Sequence, residues 1–391
     1  MKFLRNIYKK VHPHFTEGGK LALFFPIYEM IDTITFWTDE QTKSGPHIRD
    51  SLDLKRTMII VVIALIPTTI FGIINAGYQQ ALATGITQSW LLNFVAGFKI
   101  FLPVLVVSYA TGAVWEVLFP IIRKQEVDEG FLVTGWLIPL ILPPTMPLWQ
   151  VVVATSFGMV IGKMIFGGTG MNIFNPALVT RAFLFFAYPG NISGDEVWVK
   201  AADGFSGATP LAVPAGQTGA DAVTLLNGFQ QFDYSWFNMF IGWIPGSVGE
   251  TSALAILLGA AILIYTKIGS WRIMVGSLLG LIVTAFITNY FAGYSTNTML
   301  SLPPHYHLVM GGFLFGTVFM ATDPVSAAYT NRGRWIYGFM IGFLTVIIRS
   351  INPAYPEGTM LAILLMNAFS PLIDYFVVKG NIKKRMARYA K

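Results

Sequence analysis

The chain has 391 residues, 54% of them hydrophobic and only 12% charged, with a formal net charge of +6 and no cysteine. A soluble domain carries about 25% charged residues, so this composition belongs to a polytopic membrane protein. Lack of cysteine excludes disulfides, zinc–cysteine sites and iron–sulfur ligation by this chain. The basic excess is that of cytoplasmic loops in a membrane protein, with no nucleic-acid partner implied.

Residues 1–55 mix basic positions with an apolar patch from Leu21 to Tyr28. The patch is too short to span a bilayer and suits an interfacial helix or a docking surface. Apolar runs of about 20 residues then predict ten transmembrane helices, near 57–77, 100–122, 130–148, 149–166, 172–189, 252–268, 273–293, 296–328 (broken), 334–350 and 358–378.

Orientation follows from the basic residues. With the N-terminus inside, the inner side holds the Lys and Arg of 1–56, Arg123, Lys124, Lys163, Lys267, Arg272, Arg332, Arg334 and the basic tail 379–391. The outer side holds Lys200 and Arg349. Both termini are therefore expected in the cytoplasm and the loop 190–251 outside.

An internal repeat is visible. Leu142-Pro143-Pro144, then Phe166-Gly167 and Asn175-Pro176-Ala177, recur as Leu302-Pro303-Pro304, Phe315-Gly316 and Asp323-Pro324-Val325. Five spans per half force the halves, 56–189 and 252–378, into opposite orientations. The expected fold is thus all-α, with ten transmembrane helices in two inverted five-helix repeats. Proline-broken helices in such repeats free backbone groups to face a ligand or ion near the bilayer midplane.

Charges at membrane depth need a partner or a cavity. Arg181 falls mid-span and needs a counter-charge or a polar ligand. Glu116, Asp323 and Asp374 are candidate carboxylate ligands for a hard cation, or equally interfacial acids. Gly112-Ala113 and Gly167-Gly168-Thr169-Gly170 lack bulk, which suits either close helix packing or the approach of a flat ring. Phe157, Phe183, Phe185 and Phe186 are compatible with stacking on a planar cofactor or quinone. No Walker loop, dinucleotide fingerprint or metal-spaced histidine pair is present, and His305 and His307 read as structural. The outer stretch Asp203 to Leu211 reads on its own as a glycine–serine turn around one hydroxyl, Thr209.

The motifs Gly167-Gly168-Thr169-Gly170-Met171-Asn172-Ile173-Phe174-Asn175-Pro176, Arg181-Ala182-Phe183-Leu184-Phe185-Phe186 and Asp203-Gly204-Phe205-Ser206-Gly207-Ala208-Thr209 resemble the B subunits of the sodium-translocating NADH:quinone reductases. The likeness runs over essentially the whole chain, and the D subunits of the Rnf complexes are a related family that usually begins near the first span. The resemblance implies FMN joined to Thr209 by a phosphoester bond, added by a flavin transferase that recognises Asp203, Ser206, Gly207 and Ala208. It places Asn172 and Asn175 near a riboflavin. It places Gly112, Phe157, Phe183 and Phe185 at a quinone region, where Ala113 replaces a second glycine often found in the family. It gives Glu116, Asp323 and Asp374 a part in sodium uptake. Arg181 is our own candidate for offsetting charge on a reduced flavin.

The implied function is electron passage from FMN via riboflavin to quinone, coupled to sodium export across a bacterial inner membrane. The expected partners are the A, C, D, E and F subunits, the transferase, quinone and lipid. Inverted five-span repeats also suit a urea- or ammonium-like solute channel, and an Rnf-type D subunit is the third reading.

Overall fold

A computed structural model describes residues 54–123, 130–200, 205–352 and 355–389, together with 11–15, Leu21, Phe25 and Tyr28. Most of the patch expected at 21–28 lies outside the described residues, as does Asp203.

Within the described residues the chain is helical. No strand forms, and Thr218 and Asn297 make an isolated antiparallel bridge. The first half holds α1 (Leu54–Ala83), α2 (Trp90–Arg123), α3 (Phe131–Ile141), α4 (Leu148–Gly162) and α5 (Pro176–Ala187). The second half holds α6 (Ala253–Tyr265), α7 (Trp271–Ala292), α8 (Pro304–Val309), α9 (Asn331–Ile351) and α10 (Thr359–Tyr389). Between α8 and α9 the chain passes through a short turn and a π-helical stretch, Gly316–Met320. The segment between the halves carries only helical turns of four to six residues.

Six helices among the described residues are long and apolar enough to cross a membrane: α1, α2, α4 with its 3₁₀ continuation to Phe166, α7, α9 and α10. Their outward faces carry large apolar side chains at helical spacing, such as Ile59, Ile63, Ile66 and Ile70 on α1 and Leu279, Val283, Phe286 and Tyr290 on α7. In water such a surface would aggregate, and in lipid it costs nothing. The chain is a multi-pass membrane protein.

The expected spans at 130–148, 172–189 and 252–268 emerge shorter, as α3, α5 and α6 with 11, 12 and 13 residues. At about 1.5 Å per residue these cover well under the ~30 Å of a hydrocarbon core. Sequence accounts for two of the truncations. Leu142 turns extended ahead of Pro143-Pro144 and ends α3, because proline disfavours helical geometry in the residue before it. Ahead of α5, Gly167, Gly168 and Gly170 all take positive φ (125°, 103° and 88°), a conformation only glycine adopts freely. The glycine-rich motif is thus a turn.

One apolar core unites both halves, with Leu65, Ile138, Leu140 and Leu184 of the first packed in the same cluster as Phe313, Phe315, Tyr337 and Ile341 of the second.

Candidate functional site

Two cavities gather several of the polar residues that the sequence singles out, among them Thr209, Arg181, Asn172, Asn175 and Asp323. The first lies beside the loop between the halves and has a volume of about 320 Å³. Thr209 and Asp195 line it from the loop, Phe185 and Arg181 from α5, and Trp198, Tyr355, Glu250 and Glu357 complete its walls.

Arg181 is buried, and its guanidinium holds two carboxylates: Nη1 donates to Glu250 Oε1 at 2.6 Å and Nη2 to Glu357 Oε2 at 2.5 Å. This is the counter-charge that a mid-span arginine requires. The planar fork of arginine suits one acid on each arm. Arg349, counted on the outer side at the end of the span expected at 334–350, is fully buried beside this cluster. It donates to the backbone carbonyls of Glu357 (3.0 Å), His307 (2.8 Å) and Met310 (2.9 Å).

The Ser206–Thr209 stretch is pinned. Gly207 N donates to Asp195 O at 2.6 Å, Gln231 Nε2 to Ser206 O at 2.6 Å, and the Tyr234 hydroxyl to Ala208 O. Burial pushes the Tyr234 phenol well above its usual range, with Asp195 adding to the shift, so it stays a donor. Gly207 and Ala208 are buried, Ser206 is exposed, and Thr209 is half-buried with its Oγ1 accepting from Ala212 N at 3.3 Å. The stretch that reads in sequence as a plain glycine–serine turn is held from three sides, with the Thr209 hydroxyl lining a cavity.

The second cavity, about 70 Å³, joins the two halves. Asn172 and Asn175 line it from the first half, Thr322, Asp323 and Pro324 from the second, and Lys163 from the end of α4. Asn175 caps α5, its Oδ1 accepting from Ala177 N (3.0 Å) and Leu178 N (3.3 Å). Asp323 makes the matching turn, with Oδ1 accepting from Val325 N (3.1 Å) and Oδ2 from Ser326 Oγ (3.0 Å). The paired Asn-Pro and Asp-Pro motifs therefore meet at one cavity and share a local fold. Lys163, expected at the inner surface, is buried and donates to Glu116 of α2, which is buried too.

The sequence is similar to known proteins over nearly all of its length. Residues 41–383 match the NQR2, RnfD, RnfE family. The chain belongs to that family. A relative from Chromohalobacter salexigens, named as the B subunit of a Na(+)-translocating NADH-quinone reductase, is 51% identical, covering 99% of this chain and 97% of its own. Relatives of the same name from Klebsiella pneumoniae (strain 342) and Pseudomonas paraeruginosa are 48% and 47% identical, each covering 98% of this chain and 99% of their own. Those relatives are subunits of an oxidoreductase that moves sodium.

Within this member of the NQR2, RnfD, RnfE family, the residues expected at a quinone region do not converge. Phe157 and Phe183 stack at 4.6 Å on an open apolar crevice shared with Phe186. Phe185 faces the Thr209 cavity and packs on Tyr355 at 4.3 Å. Gly112 is covered by the Phe131 ring, while Ala113 is exposed. Arg181 stands at the Thr209 cavity and not with Asn172 and Asn175. Asp374 accepts from Tyr329 N (2.6 Å), Thr330 N (3.0 Å) and Thr330 Oγ1 (2.5 Å), tying α10 to the start of α9.

Sequence reasoning missed Glu250 and Glu357. Each is a single acid near the end of an apolar segment, and the unmatched arginine at 181 was the one signal that such partners must exist.

Proposed function

We propose that this chain is the membrane redox subunit of a sodium-translocating NADH:quinone oxidoreductase, passing electrons from covalent FMN via riboflavin to quinone with sodium export. The observation that carries the reading is the placement of Thr209, a half-buried hydroxyl on the rim of an aromatic-walled cavity of about 320 Å³. The loop that presents it matches the family's attachment motif.

The residues present suit the groups. Trp198, Phe185 and Tyr355 offer flat apolar faces on the cavity that Thr209 lines. At the second cavity the two asparagines are complementary. Asn172 commits an amide N–H to Phe174 O at 2.9 Å and keeps its oxygen to accept. Asn175 commits its oxygen to the α5 cap and keeps amide N–H groups to donate. An alternating acceptor and donor pair fits the imide edge of a flavin ring. A cavity of about 70 Å³ admits such an edge. The flavins, when bound, supply electron chemistry that no side chain here has.

Sodium, as cargo, is assigned to Glu116 and Asp323, with Asp374 as a third acid. Among the described residues no three acids or histidines converge, so the remaining oxygens come from hydroxyls and carbonyls such as those of Thr134 and Thr322 on the second cavity. Quinone is assigned to the region of Gly112, Ala113, Phe157, Phe183 and Phe185, of which Phe157 and Phe183 share one crevice.

The same reading includes ten spans in two inverted repeats, supported by the matching Asn175 and Asp323 turns. It places both termini in the cytoplasm of a bacterium, the loop 190–251 in the periplasm, and the A, C, D, E and F subunits and a flavin transferase as partners.

The test is direct. The wild-type chain, made in a host with the transferase and denatured on a gel, is expected to fluoresce under ultraviolet light, and Thr209→Ala to be dark. A dark wild-type band removes the flavin reading.

A further inference from the structure

We propose that the hydroxyls of Tyr355 and Thr251 are hydrogen-bonding partners of the flavin carried by Thr209, and that the Tyr355 phenol, as a donor to the ring, raises that flavin's reduction potential. The proposal rests on the reading above that Thr209 bears FMN.

Tyr355 is 5% exposed and Thr251 3% exposed. Both line the cavity that Thr209 lines. Neither the Tyr355 hydroxyl nor Thr251 Oγ1 has a hydrogen-bond partner among the described residues. A buried hydroxyl is costly to leave unpaired, and few are. Neighbouring polar groups are already committed. The two arms of Arg181 hold Glu250 and Glu357, and Thr209 Oγ1 accepts from Ala212 N. Two unsatisfied hydroxyls on one cavity therefore point to a ligand with polar atoms of its own.

The Tyr355 ring is held against Phe185, with centroids 4.3 Å apart and planes at 59°. Burial, and then the charge of Glu357, pushes its phenol well above the usual range, so the group stays protonated and donates. A flavin ring carries carbonyl oxygens and ring nitrogens that accept hydrogen bonds, and reduction makes them richer in electrons. A donor fixed beside them holds the reduced ring more tightly than the oxidised one, which raises the potential. The phenol keeps its proton throughout, and no covalent bond changes. Thr251 can donate or accept, so it can serve either kind of atom on the ring.

Tyr355→Phe removes one hydroxyl and keeps the ring. In the purified complex, the flavin signal that is missing from Thr209→Ala is expected to titrate at a lower potential in Tyr355→Phe. The expected change is about tenfold in the ratio of reduced to oxidised flavin, or about 59 mV for one electron. The thermal unfolding midpoint gives a second readout. Tyr355→Phe is expected to lower it in the flavin-bearing complex. In the Thr209→Ala background, where the hydroxyl has nothing to bond, the same change is expected to leave the midpoint equal or higher. Thr251→Val, which keeps the side-chain shape, is expected to show the same pattern of midpoints and decides the matter if Tyr355→Phe takes up no flavin. An unchanged potential with unchanged midpoints overturns the proposal. So does an equal fall in midpoint with and without flavin, which would mean that water or protein serves the hydroxyls. A dark wild-type band under ultraviolet light removes the flavin reading first and the proposal with it, whereas a fluorescent wild type with indifferent variants removes the proposal alone.

Discussion

Arg181 on α5 and Glu357 ahead of α10 lie 176 residues apart in the chain and meet at 2.5 Å. With Glu250 on the other arm of the guanidinium, the contact ties α5 to the segments that lead into α6 and α10. Removing one member of a buried ion pair leaves the others unpaired and costs about 3–5 kcal/mol. Arg181→Gln keeps donors but loses the charge, so the two carboxylates repel. The expected outcome is a clear fall in the thermal unfolding midpoint of the purified complex, partly recovered in Arg181→Gln/Glu357→Gln. An unchanged midpoint would show that the triplet does not hold these segments. Because Arg181 lines the Thr209 cavity, unchanged turnover and unchanged reduction of the flavin on Thr209 would sink the flavin role for Arg181.

Gly207 has a packing reason to be glycine. A Cβ built there would lie 2.7 Å from Val199 Cγ2, closer than carbon atoms tolerate. Gly207→Ala must therefore push the loop off the 195–199 segment and move Thr209 from the cavity rim. Covalent flavin, read by in-gel fluorescence, is expected to fall severalfold while the chain still accumulates in the membrane. Gly207→Ala/Val199→Ala relieves the clash and is expected to restore much of the signal. Full fluorescence in the single variant would mean that the transferase needs no preset loop.

Tyr234 supplies the other restraint, through its hydroxyl to Ala208 O. Tyr234→Phe leaves that carbonyl without its donor, at a cost of about 1–3 kcal/mol. The loop should open more often, a local change visible as faster hydrogen exchange at 205–211 with little effect on α7 or α9. Exchange equal to wild type would show that Gln231 and Asp195 suffice to hold the loop.

These contacts mark what the sequence could and could not convey. Hydropathy located every long helix, because lipid-facing surface must be apolar at each turn. Pro143-Pro144 ends α3 inside the span expected at 130–148. α5 and α6 fall short of the expected 172–189 and 252–268 because capping residues, Asn175 for α5 and Ser252 and Thr266 for α6, end them inside those spans. Arg181 announced a missing partner, but Glu250 and Glu357 stand 69 and 176 residues away, and only the folded chain brings them to it. Lys163 misled for the opposite reason. A basic residue at a helix end reads as an inner-surface charge, and nothing local reveals that Glu116, 47 residues earlier, draws it inside.

Asn175 separates scaffold from ligand contact. As the α5 cap it accepts from two backbone N–H groups, and losing such a cap costs about 1 kcal/mol. Asn175→Ala should thus lower stability modestly and also remove the amide donors that face the second cavity. Asn175→Asp keeps the cap, and its negative charge at a helix N-terminus is favourable, but it offers no donor and repels an electron-rich ring edge. If the amide holds a flavin, Asn175→Asp retains the wild-type unfolding midpoint and loses non-covalent riboflavin, measured by extraction and fluorescence. If Asn175 is only a cap, Asn175→Asp keeps its riboflavin and only Asn175→Ala is weakened. The two variants together assign the residue to one role or the other, because cap and donor use opposite ends of the same amide.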